Sequence, residues 1–239
     1  MCDSNLHISK SARHMLHAVV IAGGVLAIVA TGVYACMRFR QKRLIKAGFA
    51  AARAEDVHNI RAAIASGFPL QGCDSRGFTL LHCVALRPSL HVLLPEMLAK
   101  GWDPNAETPF GSTPVHCACV SGSLPAVQTL LQAGGCLDSI SHTGSVAHSA
   151  VWAVLYKPNK ANSLQLLNWL ATRDDVDWLH ACDYDGTTAL TSLEKYCDEF
   201  YADHQHARAI VVDAMVAHKA RARRWSAPRT AFIWACVAN

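Results

Sequence analysis

No Cys-x-x-Cys pair occurs among the ten cysteines of this 239-residue chain. Structural zinc is usually held by two close pairs of ligands, so the missing spacing argues against a metal reading of a sequence with thirteen histidines. The chain also has no Gly-x-Ser-x-Gly nucleophile elbow, no phosphate-cradling glycine loop and no zinc-protease helix. Gly23-Gly24 falls inside an apolar run, away from any strand-to-helix turn. Asp174-Asp175 and Asp183-Tyr184-Asp185 are the tightest acidic groups, and they offer fewer oxygens than calcium takes. Charge is sparse at 17% of residues, and the net +4 comes largely from two clusters near residues 38–46 and 221–224. A nucleic-acid binder would carry a basic stripe with interleaved aromatics across the domain, so no nucleic-acid partner is assigned. No catalytic residue, cofactor or metal ligand is assigned either.

Charge is absent altogether from Met15 to Met37, 23 residues dominated by Val, Ala, Ile, Leu and Gly. At 1.5 Å per residue that length crosses a bilayer core of about 30 Å, which predicts a transmembrane helix at 15–37 with the lipid bilayer as partner. The run exceeds the 7–15 residues of a signal-peptide core, and Tyr34 fits poorly in a lipoprotein box at Val33–Cys36, so an uncleaved anchor is expected. Lys10 and Arg13 precede the run, while Arg38, Arg40, Lys42, Arg43 and Lys46 follow it. The positive-inside tendency then places the N-terminus outside and the rest of the chain in the cytoplasm. The basic group at 38–46 is expected to form a juxtamembrane linker that can attract anionic headgroups. Ala18, Ala22, Gly23 and Ala27 give small-residue spacings that allow weak self-association through the membrane helix.

Beyond this segment a pattern recurs: Gly77-Phe-Thr79-Leu-Leu-His82, Gly111-Ser-Thr113-Pro114-Val-His116, Gly144-Ser-Val-Ala-His148 and Gly186-Thr-Thr188-Ala-Leu-Thr191. The glycines lie 34, 33 and 42 residues apart, the period of stacked helical repeats. In the second block Thr113-Pro114 starts a short helix, Ser121-Gly122-Ser123 turns the chain, and Pro125 to Ala133 forms a second helix stopped by Gly134-Gly135. One such unit cannot bury its own apolar faces, so neighbours must stack into a solenoid.

The stretch Gly111 to Ala118, with Gly122 and Val127 to Gly134, resembles an ankyrin repeat, and Gly77 to Ala85 with Leu98 to Asn105 is similar. In the second of these Arg87-Pro-Ser replaces the usual inter-helix glycine. Gly144 to His148 has its histidine one place early, Lys157 to Asn162 forms an insertion, and Thr191 stands where the family has histidine. Phe49 to Gly67 resembles a capping repeat. The resemblance implies an all-α solenoid of four to five repeats over 47–220, flanked by a short segment at 1–14 and a basic, aromatic tail at 221–239. It implies that His82 and His116 tie neighbouring turns by hydrogen bonds, and that Gly77, Thr79, Gly111, Thr113, Pro114, Gly144, Gly186 and Thr188 are motif residues.

The resemblance further implies a protein partner held along the loop tips, with Arg76, Glu107, Phe110, His142, Tyr184 and Asp185 as contact residues. Asp74, Ser75, Thr108 and Ser141 share those tips. Aromatic residues at exposed tips give contact area at low entropic cost. Cysteines scattered through the repeats are expected to be reduced and buried, and His204-Gln-His206 to be a solvated helix face. Cys236 to Asn239 has the outline of a prenylation box with an atypical last residue. Trp225, Phe232 and Trp234 suit a cap on the last repeat or the membrane interface. The function expected is a membrane-anchored, non-catalytic interaction scaffold. The alternatives are an exported protein of the same type with oxidised cysteines, or a metal-dependent sensor or enzyme using the repeats' His and Cys residues.

Overall fold

The computed structural model describes residues 10–157, 160–196 and 202–222, apart from the side chains of residues 10–30, 202 and 220–222. Residues 1–9, Cys197 and the tail from 223 onward, with Trp225, Phe232, Trp234 and Cys236, lie outside the described residues.

Helix α1, Lys10–Arg53, is 44 residues long. Residues 31–42 are exposed, whereas Phe49, Ala51 and Ala52 at its C-terminal end are buried. The stretch expected to be a linker, 38–46, is therefore helical throughout and continuous with the first helix of the repeat array. No Pro or Gly interrupts residues 33–47, so nothing in the sequence stops the helix there. Among the described residues no helix is long and apolar enough to cross a membrane.

Five helical units follow one another. The end of α1 pairs with α2 (Val57–Ala65), where the Asp56 side chain accepts from the Asn59 amide at 3.0 Å and caps the helix. Phe49 and Phe68 close this first unit edge to face, 5.9 Å apart. In the second unit α3 (Leu80–Ala85) leads through a 3-10 turn, Pro88–Leu93, into α4 (Leu94–Ala99). Pro88 sits at the start of that turn, where it replaces the glycine turn of its neighbour. The third unit is α5 (Pro114–Ser121) and α6 (Leu124–Gln132), separated by Gly122 in the left-handed conformation at φ +73°. The fourth is α7 (Val146–Tyr156) and α8 (Lys160–Ala171), and the fifth is α9 (Ala189–Tyr196) and α10 (Ala202–Ala222).

The C-terminal part of α1 and helices α3, α5, α7 and α9 stack as an inner row, while α4, α6, α8 and α10 pack side by side as an outer row. The core lies between the rows. Val115, Ala118, Ala150, Val154 and Leu193 of the inner row and Leu94, Leu130, Leu167 and Val211 of the outer row are all buried. Each fully buried Leu or Val contributes about 1.5–3 kcal/mol, and most of that area is shared between neighbouring units.

A hairpin precedes each of α3, α5, α7 and α9. In the third, strands β1 (Ile140–Ser141) and β2 (Gly144–Ser145) pair antiparallel, a small departure from the expected all-α array. His204, expected on a solvated face, is buried at 6% exposure, and only His206 faces solvent. The thiols divide: Cys83, Cys117 and Cys119 are buried, but Cys73, Cys136 and Cys182 are exposed because they sit on the loops around the hairpins.

Candidate functional site

One side chain pins each hairpin. Asp74 Oδ1 accepts from the amides of Arg76 and Phe78 at 2.9 and 3.0 Å. Thr108 Oγ1 accepts from Phe110 and Ser112, Ser141 Oγ accepts from Thr143, and Asp183 Oδ1 accepts from Asp185 and Thr187. Short polar side chains that bond their own backbone two residues on are turn formers. Asp74, Thr108 and Ser141, placed on the recognition strip by sequence, are therefore structural, and Thr108 and Ser141 are only 4% and 6% exposed.

Three residues after each pin comes a glycine of the repeating motif: Gly77, Gly111, Gly144 and Gly186. Gly77 illustrates the need, since its φ is +80° and a Cβ there would overlap the Pro109 ring of the next hairpin.

The helices then start on Thr79, Thr113, Ser145 and Thr188. The Thr79 amide donates to His82 Nδ1 at 3.2 Å, the Thr113 amide to His116 Nδ1 at 3.2 Å, and the Ser145 amide to His148 Nδ1 at 3.1 Å. Because an amide can only donate, Nδ1 must be the acceptor and each ring is the neutral Nε2–H tautomer. That N–H donates onward to the next hairpin, from His82 to the Ser112 carbonyl and from His148 to the Thr187 carbonyl, both at 2.9 Å. Burial lowers the pKa of all three rings, with His116 brought down to about 4.

His148 is early relative to Gly144, yet it keeps its three-residue distance from the helix cap. The missing residue lies between Gly144 and Ser145, where the other hairpins have one more. The ring of His148 lies directly against Gly144, 2.5 Å from where a Cβ would stand. The shortened turn has a cost one unit back. The carbonyls of Gly144 and Ser139 lie near His116 and favour its charged form, but its buried Nε2 has no partner in hydrogen-bond geometry. At Thr191 the local half of the device survives, with Thr188 N donating to Thr191 Oγ1 at 2.7 Å. The cap is kept and the reach to a next hairpin is lost.

Of the six expected contact residues, the fold brings three together. The rings of Phe110 and His142 lie 6.0 Å apart, and those of His142 and Tyr184 stack at 5.5 Å with an interplanar angle of 5°. The backbone ties the same tips: His142 N donates to Phe110 O at 2.8 Å and Tyr184 N to His142 O at 3.0 Å. Phe110 is 57% exposed and Tyr184 68%. Glu107 and Asp185 are exposed on the hairpins that carry Phe110 and Tyr184. Arg76 is not part of this ladder. It pairs with Asp74 at 3.5 Å and lies over Phe78, and Pro109 has no N–H with which to continue the backbone bonds to the first hairpin.

A second aromatic group escaped the sequence. Trp152 and Tyr156 stack at 4.5 Å on α7, and Tyr196 of α9 approaches Trp152 to 5.7 Å. All three are exposed, and Lys195 lies over Tyr196. The available signal was position: Trp152 stands four residues after His148, as Val120 does after His116 and Leu86 after His82. The hairpins of His142 and Tyr184 lead into α7 and α9, so the ladder and this cluster sit toward opposite ends of the same two inner helices.

Among the described residues no group of three or more His, Cys, Asp or Glu side chains is arranged to hold a metal ion. Residues 48–141 match the family model for ankyrin repeats, in three copies. This part of the chain is an ankyrin-repeat array. The comparison with curated proteins gives no match. The two units beyond residue 141 share the hairpin glycine and helix cap of the matched units, with the one-residue shortening at Gly144 and Thr191 in place of a histidine. Ankyrin repeats are an interaction module, so protein binding is the general role of the array.

Proposed function

We propose that the ankyrin array is a docking surface for a partner protein, centred on Phe110, His142 and Tyr184 and extending to Trp152, Tyr156 and Tyr196. The observation that carries this reading is the ladder itself. Three rings from three successive hairpins lie in a row, His142 stacked on Tyr184 and tilted at 55° to Phe110, and are left exposed, although burying them would stabilise the monomer. Aromatic groups fixed in advance by the backbone make contact area at small entropic cost. The buried histidines at the helix starts are engaged in capping, which supports a non-catalytic role.

The array is held at a membrane by residues 15–37, with the N-terminus outside and the repeats in the cytoplasm. The charge-free composition of that stretch and the five cations after it support this placement. The unbroken α1 makes the anchor a stiff stalk. Resistance to carbonate extraction, lost on deletion of residues 15–37, tests the anchor; extraction of the intact chain would refute it.

For the docking surface, peptides selected by display on the intact chain are titrated against Phe110→Ala, Tyr184→Ala and, as an outer-row control, Gln128→Ala. Binding that falls about tenfold or more only in the two ring variants supports the reading. Equal binding to all three variants would sink it.

A further inference from the structure

The ladder lies in the acidic part of the chain. Between residues 101 and 194 nine Asp and Glu stand against Lys157, Lys160 and Arg173, and no Lys or Arg occurs from 101 to 156. Arg173 is already held by Asp175 at 2.9 Å, and Lys160 donates to the carbonyls of Val154 and Leu155. Glu107, three residues before Phe110, and Asp185, next to Tyr184, are exposed and form no ion pair with any described residue. Lys195 feels the charge of Asp185 but lies over Tyr196, 5.2 Å from the ring centroid.

The first hairpin shows which group fits such a surface. There Arg76 lies over Phe78, 5.0 Å from the ring centroid, while pairing with Asp74. Arg173 repeats the contact on Trp169 at 5.3 Å. A planar, weakly hydrated guanidinium stacks on a ring and pairs with a carboxylate at once. The hairpins of Phe110 and Tyr184 have the exposed ring and the unpaired carboxylate, and no arginine of their own.

We propose that the ladder binds an arginine-bearing, extended segment of another protein, whose guanidinium groups lie over Phe110 and Tyr184 and pair with Glu107 and Asp185. This rests on the docking surface proposed above and names its partner's chemistry. His142, held between the two rings, sets their spacing and takes no arginine itself. Lysine, a compact and strongly hydrated charge, satisfies the carboxylates but stacks poorly, so the surface discriminates between two peptides of equal charge.

The test titrates two fluorescent probe peptides into the full chain in detergent at low and moderate salt. They are Gly-Arg-Ser-Gly-Arg-Ser-Gly-Arg and the same sequence with every Arg replaced by Lys. The arginine probe is expected to bind about fivefold more tightly than the lysine probe. Tyr184→Ala and Phe110→Ala abolish that preference, while Glu107→Gln with Asp185→Asn weakens both probes and flattens the salt dependence. Equal binding of both probes, indifferent to Tyr184→Ala, would overturn the proposal, as would no binding of the arginine probe. If display-selected peptides without arginine still depend on Phe110 and Tyr184 in that case, the docking surface stands and only its partner chemistry fails. If they do not, both fail.

Discussion

His148 joins two repeats by one ring: its Nδ1 accepts from the Ser145 amide at 3.1 Å, and its Nε2 donates to the Thr187 carbonyl at 2.9 Å in the following hairpin. Replacement by Ala removes both bonds, leaves buried groups unpaired and opens a void. The expected loss is about 2–4 kcal/mol for His148→Ala and for His82→Ala. His116→Ala is expected to cost about 1 kcal/mol less, because its Nε2 has no hydrogen-bonded partner to lose. Urea midpoints of the three variants order them, and a His116 loss equal to or above the others would contradict the geometry.

The same three rings make stability depend on pH. Each has a folded pKa below that of the unfolded chain, where histidine titrates near 6.5. Above pH ~6.5 both states are neutral and the stability is complete. As pH falls the unfolded chain takes up protons first, so stability declines from about pH 6.5 down to about 4, where His116 also charges. Urea unfolding at a series of pH values should show this decline. It should shrink in His116→Gln, and an unchanged slope there would show that other groups carry the effect.

Sequence alone located the repeats because each hairpin glycine and each capping residue is needed by the backbone, and such needs leave a period. It placed Phe110, His142 and Tyr184 at hairpin tips for the same reason, since tips are found by counting back from Gly111, Gly144 and Gly186. It misjudged Asp74, Thr108 and Ser141, because a polar tip residue that pins its own turn looks the same in sequence as one that faces a partner. It missed Trp152, Tyr156 and Tyr196 because apolar residues in a short helix are indistinguishable from core until the neighbouring helices are placed. The span from Arg38 to Lys46 looked like a linker through its charge, although nothing in it breaks a helix.

Thiol reactivity should follow burial. Cys117 is pushed up to about 12 by desolvation, and Cys83 and Cys119 are raised by the same cause. At pH 8 these three are expected to stay unmodified by a maleimide until denaturant is added, while Cys73, Cys136 and Cys182 react in the native state. Mass mapping of the labelled sites checks this. Native labelling of Cys117 or Cys119 at the rate of Cys136 would mean that α5 is not enclosed between its neighbours.

Pins and rings should separate when stability and binding are measured together. Tyr184→Ala removes an exposed ring, so its stability change should stay within about 0.5–1 kcal/mol while ligand affinity falls. Asp183→Ala leaves the ring in place but removes the acceptor for the Asp185 and Thr187 amides and for Thr187 Oγ1 at 2.6 Å. Its carboxyl lies below the usual carboxylate range because those donors outweigh its desolvation, so the pin contributes most above pH ~4 and is lost as pH falls further. Asp183→Ala is therefore expected to cost about 1–2 kcal/mol and to weaken binding indirectly, by freeing the hairpin that holds Tyr184 against His142. If the ladder is the docking surface, Asp183→Ala should slow association by displacing a formed ring, whereas Tyr184→Ala should mainly speed dissociation. Identical kinetic signatures for the two variants would mean that the ring and its turn are not distinct in function.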